Sequence, residues 1–273
     1  MTSHYFENSL VKLHYYKYGN GPNAMLCFHG YGMHGKQFRI LEEKLGAKYT
    51  FYGFDLFFHK ETKLVNQSLE HIKRGISKKE LAELFIQFCV HEHIGQFSVI
   101  GYSMGTHYAT AIAEQLAHRI NEYIIAAPSA LDPGVLIRFF STNKIGNKII
   151  EKLAHSNKAI LHFLDFYRKL RLIDSKNHEI LLNEIGTREL RLDFYASLTY
   201  LRFLDTDFVQ LEQALQQHQV KSIFVFGKRD KMYPKKIGNF LIPKLKSAEV
   251  IVLDENHELI NKNFADTLSA ILA

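Results

Sequence analysis

Short apolar runs alternate with helix-spaced segments along most of this chain, and that alternation limits what it can fold into. The runs AMLCF (24–28), YTFYGF (49–54), FSVIG (97–101), EYIIAAP (122–128), SIFVFG (222–227) and EVIVLD (249–254) are strand-length and end at turn signals. Helical spacing follows over 36–46, 77–94, 104–118 and 258–272, and Ser77-Lys78-Lys79-Glu80 matches a capping box. LVKLHYYKY (10–18) alternates and stops at Gly-Asn-Gly-Pro, as an edge hairpin would. Strands separated by helices pair through crossovers, so the pattern predicts an α/β fold: a mostly parallel central sheet flanked by helices.

The rhythm breaks between 131 and 204, which holds no convincing strand and reads as several helices. This predicts a core in two parts, 1–130 and 205–273, with a helical insertion at 131–204. Within the insertion, Phe163, Phe166, Tyr167, Arg168, Lys169 and Arg171 read as an amphipathic helix with a solvated basic side.

Composition removes several classes. With 273 residues, 47% hydrophobic and 23% charged, the chain can bury a core, and disorder is excluded. No apolar run reaches the ~18 residues of a membrane span, and the first 20 residues lack the apolar centre of a secretory signal. Cys27 and Cys89 are too few for a disulfide framework and sit in apolar stretches, as buried free thiols of a cytoplasmic protein do. His91 and His93 point apart on a helix, so no metal site is expected.

Two glycine motifs compete for the functional role. Gly30-Tyr31-Gly32-Met33-His34-Gly35 fits the dinucleotide turn G-x-G-x-x-G, with Asp55 placed 20 residues beyond Gly35 for a ribose. Gly101-Tyr102-Ser103-Met104-Gly105 fits G-x-S-x-G, a strained strand-to-helix turn that lifts a serine hydroxyl above a sheet. The remaining residues separate them. A serine nucleophile needs a base, and an acid to orient the base, in the chain order Ser, Asp or Glu, His. Asp230 follows the run SIFVFG and His257 follows EVIVLD, each just past a strand end. Asp132, after EYIIAAP, is the rival acid. The first motif then supplies an oxyanion loop: His29-Gly30 precede a Tyr31 N–H that would act with the Met104 N–H. His29 would hold that loop or border the substrate, and Tyr102 would pack or line the pocket.

On His29-Gly30, Gly101-Tyr102-Ser103-Met104-Gly105, Asp230 and His257, the chain resembles the α/β-hydrolase family over nearly its whole length. The resemblance implies a Ser-Asp-His triad without metal or organic cofactor, and reads 131–204 as that family's cap. Two departures stand out. Many relatives carry D-x-x-G-x-G where this chain has Asp55-Leu56-Phe57-Phe58-His59-Lys60, and often glycine where Asn256 precedes His257.

The expected activity is hydrolysis of a carboxylic ester or thioester through an acyl-enzyme on Ser103. A C–C hydrolase or lyase on the same triad, or a non-catalytic ligand-binding relative, are the alternatives. The expected partner is a small-molecule substrate, with no nucleic acid and no stable membrane insertion, and the protein a monomer or small homo-oligomer. The net charge is 34 − 28 = +6, of which residues 131–204 carry 12 − 8 = +4. That surplus on the presumed cap suits an anionic substrate, such as an acyl-CoA.

Overall fold

The computed structural model describes residues 1–156 and 186–272. The amphipathic stretch around 163–171 lies outside the described residues. Strands β1 (Thr2–Glu7), β2 (Val11–Tyr18), β3 (Asn23–Phe28), β4 (Tyr49–Phe54), β5 (Lys63–Leu64), β6 (Phe97–Tyr102), β7 (Ile120–Ala126), β8 (Lys221–Gly227) and β9 (Ala248–Leu253) form one sheet. The order is β1-β2-β4-β3-β6-β7-β8-β9, with β5 beside β2. Pairing is parallel from β4 to β9, and β2 is antiparallel to β1, β4 and β5. Thus every apolar run read from the sequence is a strand of an α/β-hydrolase-type sheet, and β1 adds an edge that polar TSHYFE did not announce.

In chain order the α-helices are α1 (Glu42–Leu45), α2 (Leu69–Arg74), α3 (Lys78–His91), α4 (Gly105–Leu116), α5 (Val135–Thr142), α6 (Lys144–His155), α7 (Arg188–Tyr200), α8 (Phe208–Gln217) and α9 (Lys262–Leu272). The capping box forms: Ser77 Oγ accepts the Glu80 N–H while the Glu80 carboxylate accepts the Ser77 N–H at 2.9 Å. Segment 36–46 is not one helix but a 3₁₀ turn (Gln37–Leu41) running into α1.

Alternating side chains of the buried strands feed two faces. Met25, Cys27, Ile100, Ile124, Ile223 and Val225 pack with Phe38, Leu41 and Leu45 and with Phe264, Leu268 and Leu272 of α9. On the opposite face, Phe28 and Phe54 meet Phe85 and Phe88 of α3 and Tyr108 of α4 edge-on or stacked. Each fully buried aromatic contributes roughly 1.5–3 kcal/mol by leaving water.

The described residues form two compact units. One is Met1–Asn66, Ile76–Pro133 and Phe203–Ala273; the other is Gln67–Gly75 with Gly134–Arg202. The second unit therefore takes in α2, which lies inside the stretch 1–130 that the sequence assigned to the core. It has its own small cluster, in which Ile150, Ala154 and Tyr195 are buried and Asn147 bonds Thr199 at 2.9 Å. No described helix is long and apolar enough to cross a membrane.

Candidate active site

In the sheet, β3 is followed on one side by β4 and on the other by β6, so the strand order reverses between β3 and β6. Loops leaving the carboxyl ends of two such strands diverge and open a crevice. The loop beginning His29-Gly30 leaves β3, and Ser103 leaves β6.

Ser103 has φ +48°, the left-handed region that non-glycine residues rarely adopt. Its backbone is pinned from both ends. The Ser103 N–H donates to Ala126 O at 2.9 Å. Its carbonyl accepts the Thr106 N–H (2.9 Å), the Thr106 hydroxyl (2.6 Å) and the Ser129 hydroxyl (2.7 Å). The flanking glycines are required by close approach. A Cβ on Gly105 would collide with the carbonyl of Phe28, and one on Gly101 would lie 2.7 Å from Gly105 O. The strain is thus held by packing and by four hydrogen bonds.

Three of the sequence-predicted residues come together. Ser103 Oγ lies 3.2 Å from His257 Nε2, and His257 Nδ1 lies 2.9 Å from Asp230 Oδ2. The Asp230 carboxylate is buried, which pushes its pKa up. The hydrogen bond and charge of His257, with the Tyr233 and Met232 N–H groups on Oδ1 (3.1 and 2.8 Å), outweigh burial and hold it below the usual range. An ionised carboxylate on Nδ1 fixes the proton there and leaves Nε2 to accept from the serine hydroxyl. The rival, Asp132, is exposed in the loop after β7.

Tyr102 supports this arrangement. Its hydroxyl donates to His257 O at 2.7 Å, and its ring lies 5.4 Å from the imidazole. The loop after β3 adjoins the same place: a Cβ on Gly30 would meet the Tyr102 ring at 2.8 Å and Ser103 Cβ at 3.6 Å. Tyr31 is half-buried in that loop, and Met104 stands at the N-cap of α4. His29 is 1% exposed; Nδ1 meets Gly30 O at 2.6 Å and Nε2 accepts the Leu56 N–H at 3.1 Å. Burial drives its pKa well below the ordinary histidine value. Both ring nitrogens are used on backbone, so His29 holds the loop and has no polar atom left for the substrate contact that the sequence also allowed.

Asp55 is not a ribose ligand. It is fully buried, Oδ1 accepts the Gly35 N–H at 2.8 Å, and Oδ2 meets His14 Nδ1 at 2.7 Å. Ser3 Oγ in turn lies 2.7 Å from His14 Nε2. This is a second Ser-His-Asp chain of hydrogen bonds, with distances shorter than those at Ser103. It differs in backbone: Ser3 sits in the regular edge strand β1, with no left-handed turn and no helix N-terminus beside it. The relay fastens β1 and β2 to the loop after β3.

The departures from D-x-x-G-x-G now have a structural meaning. Phe58 (φ +61°) and Lys60 (φ +49°), which stand where relatives carry glycine, both occupy the left-handed region. Lys60 is exposed, so its strain has no packing return. We expect Lys60→Gly to raise stability by about 0.5–1 kcal/mol, because relief of ~1–2 kcal/mol of left-handed strain exceeds the entropy that glycine adds to the unfolded chain. A urea midpoint unchanged or lowered would contradict this.

Thr106, Ser129, Gln37 and His59 were not singled out from the sequence. Each acts through contacts with residues distant in sequence or through a loop backbone, and no local pattern marks them. Among the described residues, no cluster of histidine, cysteine or acidic side chains could hold a metal ion.

A family model for the alpha/beta hydrolase fold matches residues 23–261. The chain is 23% identical over 272 residues to an uncharacterised hydrolase, YugF, of Bacillus subtilis (strain 168), covering 94% of each. Its structure is similar to that of a thermophilic esterase from Thermogutta terrifontis (TM-score 0.61, 15% identity, 96% of this chain and 92% of that one). It is also similar to the thioesterase domain from the curacin biosynthetic pathway (TM-score 0.65, 16% identity, 100% and 99%). With the matched span running from β3 through His257, the chain belongs to the α/β-hydrolase family.

Proposed function

We propose that the protein is a serine hydrolase that cleaves a carboxylic ester or thioester through an acyl-enzyme. The observation that carries this reading is the Ser103–His257–Asp230 chain of hydrogen bonds, set on a left-handed turn between β6 and α4. Ser103 Oγ attacks the carbonyl carbon while His257 Nε2 takes the hydroxyl proton. That proton passes to the departing alcohol or thiol. Water, deprotonated by His257, then releases the acid and restores the serine. The negative oxygen of each tetrahedral intermediate is assigned to the N–H groups of Tyr31 and Met104. Asp230, rather than the exposed Asp132, is assigned the acid.

Neither thiol competes as a nucleophile. Burial pushes the Cys89 thiol up to about 11, and Cys27, fully buried, is raised further. Free buried cysteines also accord with a cytoplasmic location. In this reading residues 131–204 act as a cap that selects the acyl group, and their basic surplus favours an anionic substrate.

A fluorophosphonate probe tests the proposal. Peptide mapping is expected to place the adduct on Ser103 and not on Ser3, because a hydrogen-bond relay without an oxyanion site does not activate a hydroxyl enough. Absence of labelling at neutral pH would overturn the reading. A panel of p-nitrophenyl esters, acyl-CoA thioesters and vinylogous diketones then assigns the bond, and turnover of diketones alone would exclude ester chemistry.

A further inference from the structure

The loop Asp55–Lys60 holds two strained residues around one histidine. Left-handed backbone at Phe58 and Lys60 persists only where the surroundings over-determine it. Between them His59 is 7% exposed, and both of its ring nitrogens are committed. Nε2 accepts the Gly32 N–H at 3.2 Å, which leaves the ring proton on Nδ1, 2.9 Å from Phe57 O. The ring meets Tyr31 edge-on at 5.1 Å and 84°, and His29 at 5.1 Å and 68°.

Tyr31 therefore lies between two tethered glycines. On one side the Gly30 N–H donates to Gln37 Oε1 at 2.9 Å, and Gly30 O meets His29 Nδ1. On the other side Gly32, itself at φ +74°, is held by His59. A peptide plane fixed at both neighbours has little freedom to rotate, and an N–H donor serves an oxyanion only when it is aimed before charge develops.

We propose that His59 is a positioning residue: by accepting the Gly32 N–H and packing on the Tyr31 ring, it holds the Tyr31 peptide in the orientation that stabilises the oxyanion. This rests on the assignment of Tyr31 as an oxyanion donor. Burial keeps the His59 ring neutral by lowering its pKa, with Lys60 adding to that effect while Phe57 O and Asp55 oppose it. His29 and His34 are neighbouring histidines of this loop cluster, and both are also lowered, chiefly by burial.

The test compares His59→Leu with His59→Gln on p-nitrophenyl butyrate, alongside the melting temperature and the rate of fluorophosphonate labelling. Both side chains fill space, but only glutamine can present an acceptor near the place of Nε2. Leucine is expected to lower kcat about 10–100-fold with KM within about 3-fold, since misplacing a donor by an ångström costs on that order. Glutamine is expected to recover kcat to within about 5-fold of wild type. His59→Ala replaces the leucine variant should that one not fold. Unchanged kcat in leucine or alanine, equal losses in leucine and glutamine, or a rise confined to KM would each overturn the inference. Wild-type labelling separates the two levels. If wild type does not label, the Ser103 reading itself fails; if it labels and the variants keep kcat, only the role of His59 fails.

Discussion

Ser103→Ala is expected to lower kcat/KM for a hydrolysable ester by about 10⁴–10⁶-fold while leaving the fold intact. Among the described residues nothing is placed to replace the Ser103 hydroxyl: both cysteines are buried and Ser3 lacks the elbow. Stability should change little, because Ser103 is half-buried and, among the described residues, its hydroxyl bonds His257. The strain at φ +48° is kept by backbone bonds that alanine retains. His257→Ala should cost about as much, and the double variant no more than either alone, since the two side chains act as a unit.

Asp230→Asn distinguishes roles within the same experiment. It preserves shape but gives up the charge that holds the His257 tautomer, and a loss of about 10³–10⁴-fold is expected. Asp132→Asn should leave kcat/KM within about 3-fold. A larger loss at Asp132 than at Asp230 would move the acid to the loop after β7. An ester hydrolysed at the wild-type rate by Ser103→Ala would remove the acyl-enzyme altogether.

Much of this site was legible because it is built where local patterns end. Ser103 lies in a turn whose two glycines are needed for close approach, and Asp230 and His257 each follow an apolar run whose length identifies a strand. The core strands were legible for the same reason: buried on both faces over 24–28, 97–102 and 123–126, β3, β6 and β7 carry mostly apolar runs there. Where burial is one-sided or absent the signal faded. β1 carries only Phe6 as a buried residue, and α2 buries none, so neither stood out. Segment 36–46 showed helical spacing at Phe38, Leu41 and Leu45, yet three-residue and four-residue contacts are satisfied equally by a 3₁₀ turn and one short helix.

The loop 55–60 was the least legible part. Sequence marked only that two glycines were missing. Three-dimensional structure supplies what took their place: Phe58 and Lys60 strained into glycine-like backbone, and His59 turned inward onto the loop after β3. Likewise G-x-G-x-x-G and its spaced Asp55 matched a dinucleotide turn residue by residue. The match failed because Asp55 is spent on Gly35 and His14, and no long helix begins after Gly35.

Acid should destabilise the protein through its buried histidines. His29 and His59 are buried with pKa values lowered mainly by burial, so each is neutral in the fold at pH values where an exposed histidine, near 6.5, is already taking up a proton. Below about pH 6.5 the unfolded chain thus binds more protons than the native one, and the free energy of unfolding falls as pH falls. Each group contributes up to about 1.4 kcal/mol per pH unit until the pH reaches its folded value, and above 6.5 the contribution is complete. Asp230, depressed in the fold, adds a loss in the same direction only below the ordinary carboxylate range. Between pH 6.5 and 5, urea unfolding should therefore show stability falling as pH falls, with His107 and His34, also lowered chiefly by burial, adding to the same slope. His59→Gln, which keeps the acceptor and cannot take up a proton, should flatten that slope by up to one group's share without abolishing it, because His29, His34 and His107 remain. A wild-type stability independent of pH across this window would show that these buried rings are not held neutral.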